Sequence, residues 1–144
     1  MASCFRTEDA KLTYLLDTNA ISLLMREDAG MAQWLACVEP GDRLLICTIV
    51  RGEVLFGLGK MVHGQRRRDL EAKAERLFDA IPCEAIPPAA ADHYSAVKLD
   101  RQSRGLSLDE NDLWVAATAL AIGATLVSRD KDFEGIPALT VLTP

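Results

Sequence analysis

The chain has 144 residues, 49% of them hydrophobic, and carries 16 Lys and Arg against 21 Asp and Glu for a formal net charge of -5. That is the size of one ordinary domain and too apolar for a disordered segment. The acidic balance excludes a basic protein that coats nucleic acid, unless several acids are taken up by a divalent cation. The longest apolar stretch, Trp114 to Val127, is too short to span a membrane and is broken by Gly123.

Residues 1–11 carry charges at Arg6, Glu8, Asp9 and Lys11 with no apolar run behind them, so they read as a loose extension and not as a signal peptide. Residues 12–144 read as one domain in which short apolar strands alternate with helices. Leu12–Leu16 is the first strand, ending at Asp17-Thr18-Asn19, residue types that favour helix N-caps. Helices are expected over Ala20–Arg26 and Met31–Val38, followed by a turn at Pro40-Gly41-Asp42. Leu44–Cys47 is a second strand, and Thr48 is placed to cap the helix behind it. Gly64–Ala80 is a charged amphipathic helix, and Glu84–Ile86 a short strand between prolines. Ala89–Arg104 is a helix stopped by Gly105, and Asn111–Ile122 one stopped by Gly123. Ala124–Ser128 and Leu139–Leu142 are the last strands. Continuously apolar strands between helices imply an α/β fold of three layers, a central, mainly parallel sheet with helices on both faces.

Cys4, Cys37, Cys47 and Cys83 form no CxxC pair, which argues against structural zinc. Cys37 and Cys47 lie in apolar runs and read as buried thiols, and the chain reads as cytoplasmic.

In a parallel sheet, ligands bind outside the carboxyl ends of the strands. Asp17 and Asp130 follow the first strand and the strand ending at Ser128, so both project from that edge. Asp17 alone would equally serve as a helix cap. Glu53 is four residues from Ile49 and three from Val50 and Phe56, which puts it on the inward face of its helix. A charge there needs a partner or a metal. Asp112 opens the helix that continues through Trp114, and with Asp109 as N-cap it would also suit the helix dipole. Four acids gathered at one edge repel one another without a cation. Hard oxygen ligands select Mg²⁺ or Mn²⁺, and the matching chemistry is phosphodiester hydrolysis by a water made acidic by the metal.

The segments Leu15-Leu16-Asp17-Thr18-Asn19, Arg51-Gly52-Glu53-Val54-Leu55-Phe56-Gly57, Glu110-Asn111-Asp112-Leu113-Trp114-Val115-Ala116-Ala117-Thr118-Ala119 and Leu126-Val127-Ser128-Arg129-Asp130-Lys131-Asp132-Phe133 resemble, in that order, the PIN-domain family, most of all its VapC-type toxins. The resemblance spans residues 12–144. It implies a metal-dependent endoribonuclease toxin that forms homodimers and binds a VapB-type antitoxin whose tail covers the acidic cleft. It further implies that Asp17 and Asp112 hold the metal directly, that Asp130 completes the site, and that Glu53 acts through water. Asp132 would be an accessory acid, Thr18 and Ser128 orienting hydroxyls, and Asn19 a supporting polar residue. Ser128 departs mildly from the commoner Thr.

Arg51, Arg129 and Lys131 neighbour the acids in sequence and are candidate phosphate contacts, whereas Arg66-Arg67-Arg68 reads as a solvated helix face. His63 and His93 lack partners at ligand spacing, and Trp34 and Trp114 read as packing residues. Two other readings compete. A haloacid-dehalogenase-like phosphatase also places an Asp after the first strand, but it wants a second Asp where this chain has Asn19. A non-catalytic PIN-like module that binds RNA or a partner is disfavoured by the presence of all four acids. The identity of the RNA is not legible in the sequence.

Overall fold

The computed structural model describes residues 11–144, so apart from Lys11 the expected N-terminal extension lies outside the described residues. The elements run β1 (Thr13–Leu16), α1 (Thr18–Met25), α2 (Ala29–Ala36), β2 (Arg43–Cys47), α3 (Thr48–Lys60), α4 (Gln65–Ala80), β3 (Cys83–Glu84), α5 (Ala90–Ser103), α6 (Glu110–Ile122), β4 (Thr125–Val127) and β5 (Val141–Leu142), with a 3-10 turn at Lys131–Phe133.

The five strands form one sheet in the order β3-β2-β1-β4-β5. Every pair is parallel, with Leu15 opposite Leu45 on one side and Leu126 on the other. Successive residues of a strand face opposite sides of the sheet, yet Leu15 and Leu16 are both completely buried, as are Leu126 and Val127. Both faces are therefore covered, which is the three-layer arrangement that parallel strands and their helical crossovers require. From β1 the chain steps outward to β2 and β3, then returns to the other side of β1 for β4 and β5. The order thus reverses between β1 and β4, and a crevice opens at their carboxyl ends.

Helix α6 lies close to the sheet because Ala116, Ala117 and Ala119 on it are small and fully buried. It stops at Gly123, whose φ of 66° is the left-handed conformation glycine adopts without a Cβ clash. Tyr14 packs edge-on against Trp34 at 5.2 Å between ring centroids, and Trp114 stacks on Tyr94 at 4.2 Å, so both tryptophans are packing residues.

Several local expectations need correction. Thr48 does not cap α3: Cys47 holds the cap position without a side-chain bond, and the Thr48 hydroxyl donates instead to the Glu84 carbonyl at 3.4 Å. The third strand is Cys83–Glu84, because its partner β2 ends at Cys47 and leaves Ala85 and Ile86 nothing to pair with. Cys47 is the buried free thiol expected, but Cys37 sits half-buried at the end of α2 and is disulfide-bonded. No helix among the described residues is long and apolar enough to cross a membrane.

Candidate active site

Asp17 is the first residue after β1 and the N-cap of α1. Its backbone N–H donates to the Val127 carbonyl at 3.2 Å, which joins it to the end of β4. One carboxylate oxygen accepts from the Ala20 N–H at 2.7 Å, and the other accepts from the Ser128 hydroxyl. Asp17 is thus both the helix cap and a member of the crevice. It is only 4% exposed. Burial pushes its carboxyl up to about 6, against the lowering effect of the Ser128 and Ala20 bonds, and the charges of Asp130 and Glu53 push the same way as burial.

Glu53 reaches the crevice from α3, but not on the face expected. The buried stripe of α3 is Val50, Val54 and Leu58, while Phe56 is 67% exposed. Glu53 sits half-buried at the margin of that stripe and accepts from the Thr18 hydroxyl at 2.7 Å. This bond ties α3 to the start of α1.

Asp112 stands at the third position of α6, and the helix start is capped by Asp109, which accepts from the Asn111 N–H at 3.1 Å. Glu110 is drawn away to the Lys98 ammonium and the Tyr94 hydroxyl. Among the described residues nothing forms a hydrogen bond or ion pair with the half-buried Asp112 carboxylate. Burial raises it to about 7, followed by the charges of Asp109, Asp130, Glu53 and Asp17.

Asp130 follows β4 and caps the 3-10 turn, accepting from the Asp132 N–H at 2.9 Å, while its own N–H donates to the Ser128 oxygen at 3.0 Å. The turn is held from α5 by Arg101, a residue the sequence reading passed over. Its buried guanidinium donates to the carbonyls of Glu134, at 3.1 Å, and Asp132. Asp132 is exposed, and so is Asn19, which makes no side-chain bond to the acids.

Asp17, Glu53, Asp112 and Asp130 therefore meet at one sheet edge and feel one another's charge. Among the described residues, no three acids, histidines or cysteines close into a ready-made metal cage. The donor set nonetheless fits Mg²⁺ or Mn²⁺: the oxygens are hard, and Mg²⁺ keeps several waters and needs only one or two carboxylates directly. It does not fit a structural zinc site, which is a closed set of cysteine and histidine ligands.

Of the cations beside these acids in sequence, Arg51 lies over the Phe78 ring at 4.5 Å from its centroid, facing α4. Arg129 forks onto both Asp28 oxygens, at 3.1 and 2.6 Å, and donates to the Pro144 carbonyl at 2.8 Å. Arg129 is thus engaged in this arrangement, whereas Arg51 keeps its N–H donors unused among the described residues and is exposed, as is Lys131 just after Asp130. Arg26, for which the sequence gives no expectation, and Arg66, exposed on its helix face as expected, both line a cavity that begins at Thr18 and Glu53. No local signal marks them, because the cavity forms only where α1 packs against the consecutive helices α3 and α4.

A model of the PIN-domain family matches residues 14–139. Ribonuclease VapC1 of Haemophilus influenzae strain R2866 is 31% identical over 131 residues, covering 89% of this chain and 95% of that protein. Among solved structures, VapBC2 from Rickettsia felis, bound to a DNA fragment from its promoter, superposes with a TM-score of 0.83 at 22% identity, over 92% of this chain and 99% of that one. VapBC-1 from nontypeable Haemophilus influenzae gives 0.79 at 26% identity, over 92% and 98%.

Proposed function

The chain belongs to the PIN-domain family, and from that premise we propose that it is a VapC-type endoribonuclease, the toxin of a toxin–antitoxin pair, hydrolysing RNA phosphodiesters with Mg²⁺ or Mn²⁺. The observation that carries this reading is the pair Asp17 and Asp112: two carboxylates raised by burial and by neighbouring acids, with no cationic side chain among the described residues to balance them. Structural acids at helix starts are normally solvated or paired. Acids kept together at a strand-end crevice suit a cation and a phosphate.

In this reading Asp17 and Asp112 would hold the ion, with Asp130 completing the site and Glu53 acting beside it on water. When bound, the ion supplies an acidified water and stabilises charge on the phosphate oxygens. Ser128 fixes the Asp17 carboxylate, leaving it one orientation toward the crevice. Thr18 does the same for Glu53, whose second oxygen is left to accept a proton from the attacking water. Arg101 keeps Asp130 in place by gripping the turn behind it.

The solved neighbours are VapBC complexes, which supports a VapB-type antitoxin as partner here. An arginine on the antitoxin would pair bidentately with these acids and block the site. A homodimer and a cytoplasmic location follow from the same reading. The test is cleavage of single-stranded RNA in Mg²⁺ by wild type and by Asp17→Asn. Wild type should cut and the variant should lose orders of magnitude in rate. Equal cutting by both would overturn the assignment.

A further inference from the structure

Next to Glu53 and Thr18 a cavity of about 300 Å³ lies between α1, α3 and α4. Its floor is apolar: Met25 and Leu58 are buried and Met61 half-buried. Its rim carries two guanidiniums, Arg26 at the end of α1 and Arg66 in the first turn of α4. Neither side chain has a hydrogen-bond or ion-pair partner among the described residues. The contrast with their neighbours is informative. Arg67 is spent on Glu71 at 2.6 Å and on the Met61 carbonyl at 3.0 Å, and Arg68 on Gln65 at 3.2 Å. Arg26 and Arg66 are both exposed, so their guanidiniums stand open to a ligand at the rim of one cavity that begins beside the Glu53 carboxylate.

Their chemistry names a ligand. A guanidinium pairs bidentately with phosphate, and an apolar floor with two thioethers takes the flat face of a nucleobase. A base can enter such a cavity only if it is not stacked in a duplex, which selects single-stranded RNA. The cavity opens beside Glu53, so a base seated there sets the next phosphate against the acids. Resting on the ribonuclease reading above, we propose that this cavity is the subsite for one unpaired nucleotide adjoining the scissile phosphate, and that Arg26 and Arg66 hold the flanking phosphates.

The experiment is steady-state cleavage of a single-stranded RNA in Mg²⁺ across a range of salt concentrations. It compares wild type, the double variant Arg26→Gln/Arg66→Gln, and Gly57→Leu. Gly57 lines the cavity and an added Cβ there meets nothing within 4 Å, so leucine adds bulk at its margin without a clash. Both variants should raise KM by roughly tenfold, with most of the loss in KM and little in kcat, and in the arginine variant the dependence of log kcat/KM on log salt should flatten by roughly 0.7 per lost phosphate contact. An abasic residue walked along the RNA should raise wild-type KM at one position beside the cut, and much less in Gly57→Leu. Wild-type KM and salt dependence in both variants would overturn the subsite while leaving the nuclease reading intact. Loss of antitoxin binding alone, with KM unchanged, would make the cavity a protein-docking groove and also overturn it. No cleavage by wild type would remove the nuclease reading itself.

Discussion

Ser128 donates its hydroxyl hydrogen to the Asp17 carboxylate although 111 residues separate them in the chain. The bond spans the carboxyl ends of β1 and β4, the two strands between which the sheet order reverses. Ser128 is 1% exposed and Asp17 4%, so no water is at hand to replace the hydroxyl. Ser128→Ala should destabilise the metal-free protein by about 1–3 kcal/mol, the cost of leaving a buried acceptor unpaired. It should also lower cleavage, since Asp17 loses its fixed orientation. Ser128→Thr keeps the hydroxyl and should restore both. Urea unfolding and an RNA cleavage assay on the two variants check this; equal loss in alanine and threonine would assign Ser128 to packing alone.

Asp112 stands where a helix dipole would welcome a negative charge, but Asp109 already performs the capping. If Asp112 served only the dipole, Asp112→Asn would lose about 0.3–1 kcal/mol. Burial and four neighbouring acids argue the opposite sign. The metal-free variant should melt higher than metal-free wild type, and Mg²⁺ should raise the melting temperature of wild type but hardly that of the variant. A lower melt in EDTA with an undiminished Mg²⁺ response would return Asp112 to a structural role.

The raised carboxyls of Asp17, to about 6, and Asp112, to about 7, set a pH dependence. Both start from an ordinary 3.8, so between that pH and about 7 the folded chain binds more protons than the unfolded one. Stability without metal therefore falls as pH rises through that window. Asp28 and Glu110 are shifted down and act in the opposite sense, but below their ordinary values of 3.8 and 4.5, outside the comparison. Metal-free protein should melt higher at pH 5 than at pH 8. Mg²⁺, which needs deprotonated carboxylates, should stabilise more at pH 8 than at pH 5. Melting temperatures at the two pH values, with EDTA and with Mg²⁺, measure both effects. A metal-free melt that does not change with pH would contradict the burial argument.

Arg101 holds two carbonyls of the turn behind Asp130 from a buried position. Arg101→Ala should destabilise the fold by about 1–3 kcal/mol in all, through two lost charge-assisted hydrogen bonds to the turn. Because the turn carries Asp130, cleavage by the folded fraction should also decline. Denaturation together with activity per folded molecule separates the two effects. Undiminished activity per folded molecule would show that the turn keeps Asp130 in place without help from α5.

Much of the site was legible because local rules carried it. Apolar runs ending in Asp-Thr-Asn and Ser-Arg-Asp mark strand ends, and a parallel sheet sends such ends to one edge. Glu53 was legible as an acid out of place, but its face was misread: Phe56 was counted among the inward residues, while Val50, Val54 and Leu58 form the stripe that is buried. Arg51 and Arg129 show the limit of adjacency. Sequence neighbours of an acid on a helix or a turn point elsewhere, here to Phe78 and Asp28. Arg101 and Arg26 were invisible for the complementary reason. Arg101 bonds residues 31 and 33 positions away, and the cavity beside Arg26 exists only once three helices have packed.

The central claim is that these four carboxylates hold a divalent ion that hydrolyses RNA with water. End-group analysis of RNA cut in Mg²⁺, with a matched reaction in EDTA, tests it most directly. Attack by water on phosphorus leaves a 5′-phosphate and a 3′-hydroxyl, and EDTA should abolish cutting. Cyclic phosphate ends, or undiminished cutting in EDTA, would mean that the RNA's own 2′-hydroxyl is the nucleophile and that Asp17, Glu53, Asp112 and Asp130 do not do this chemistry.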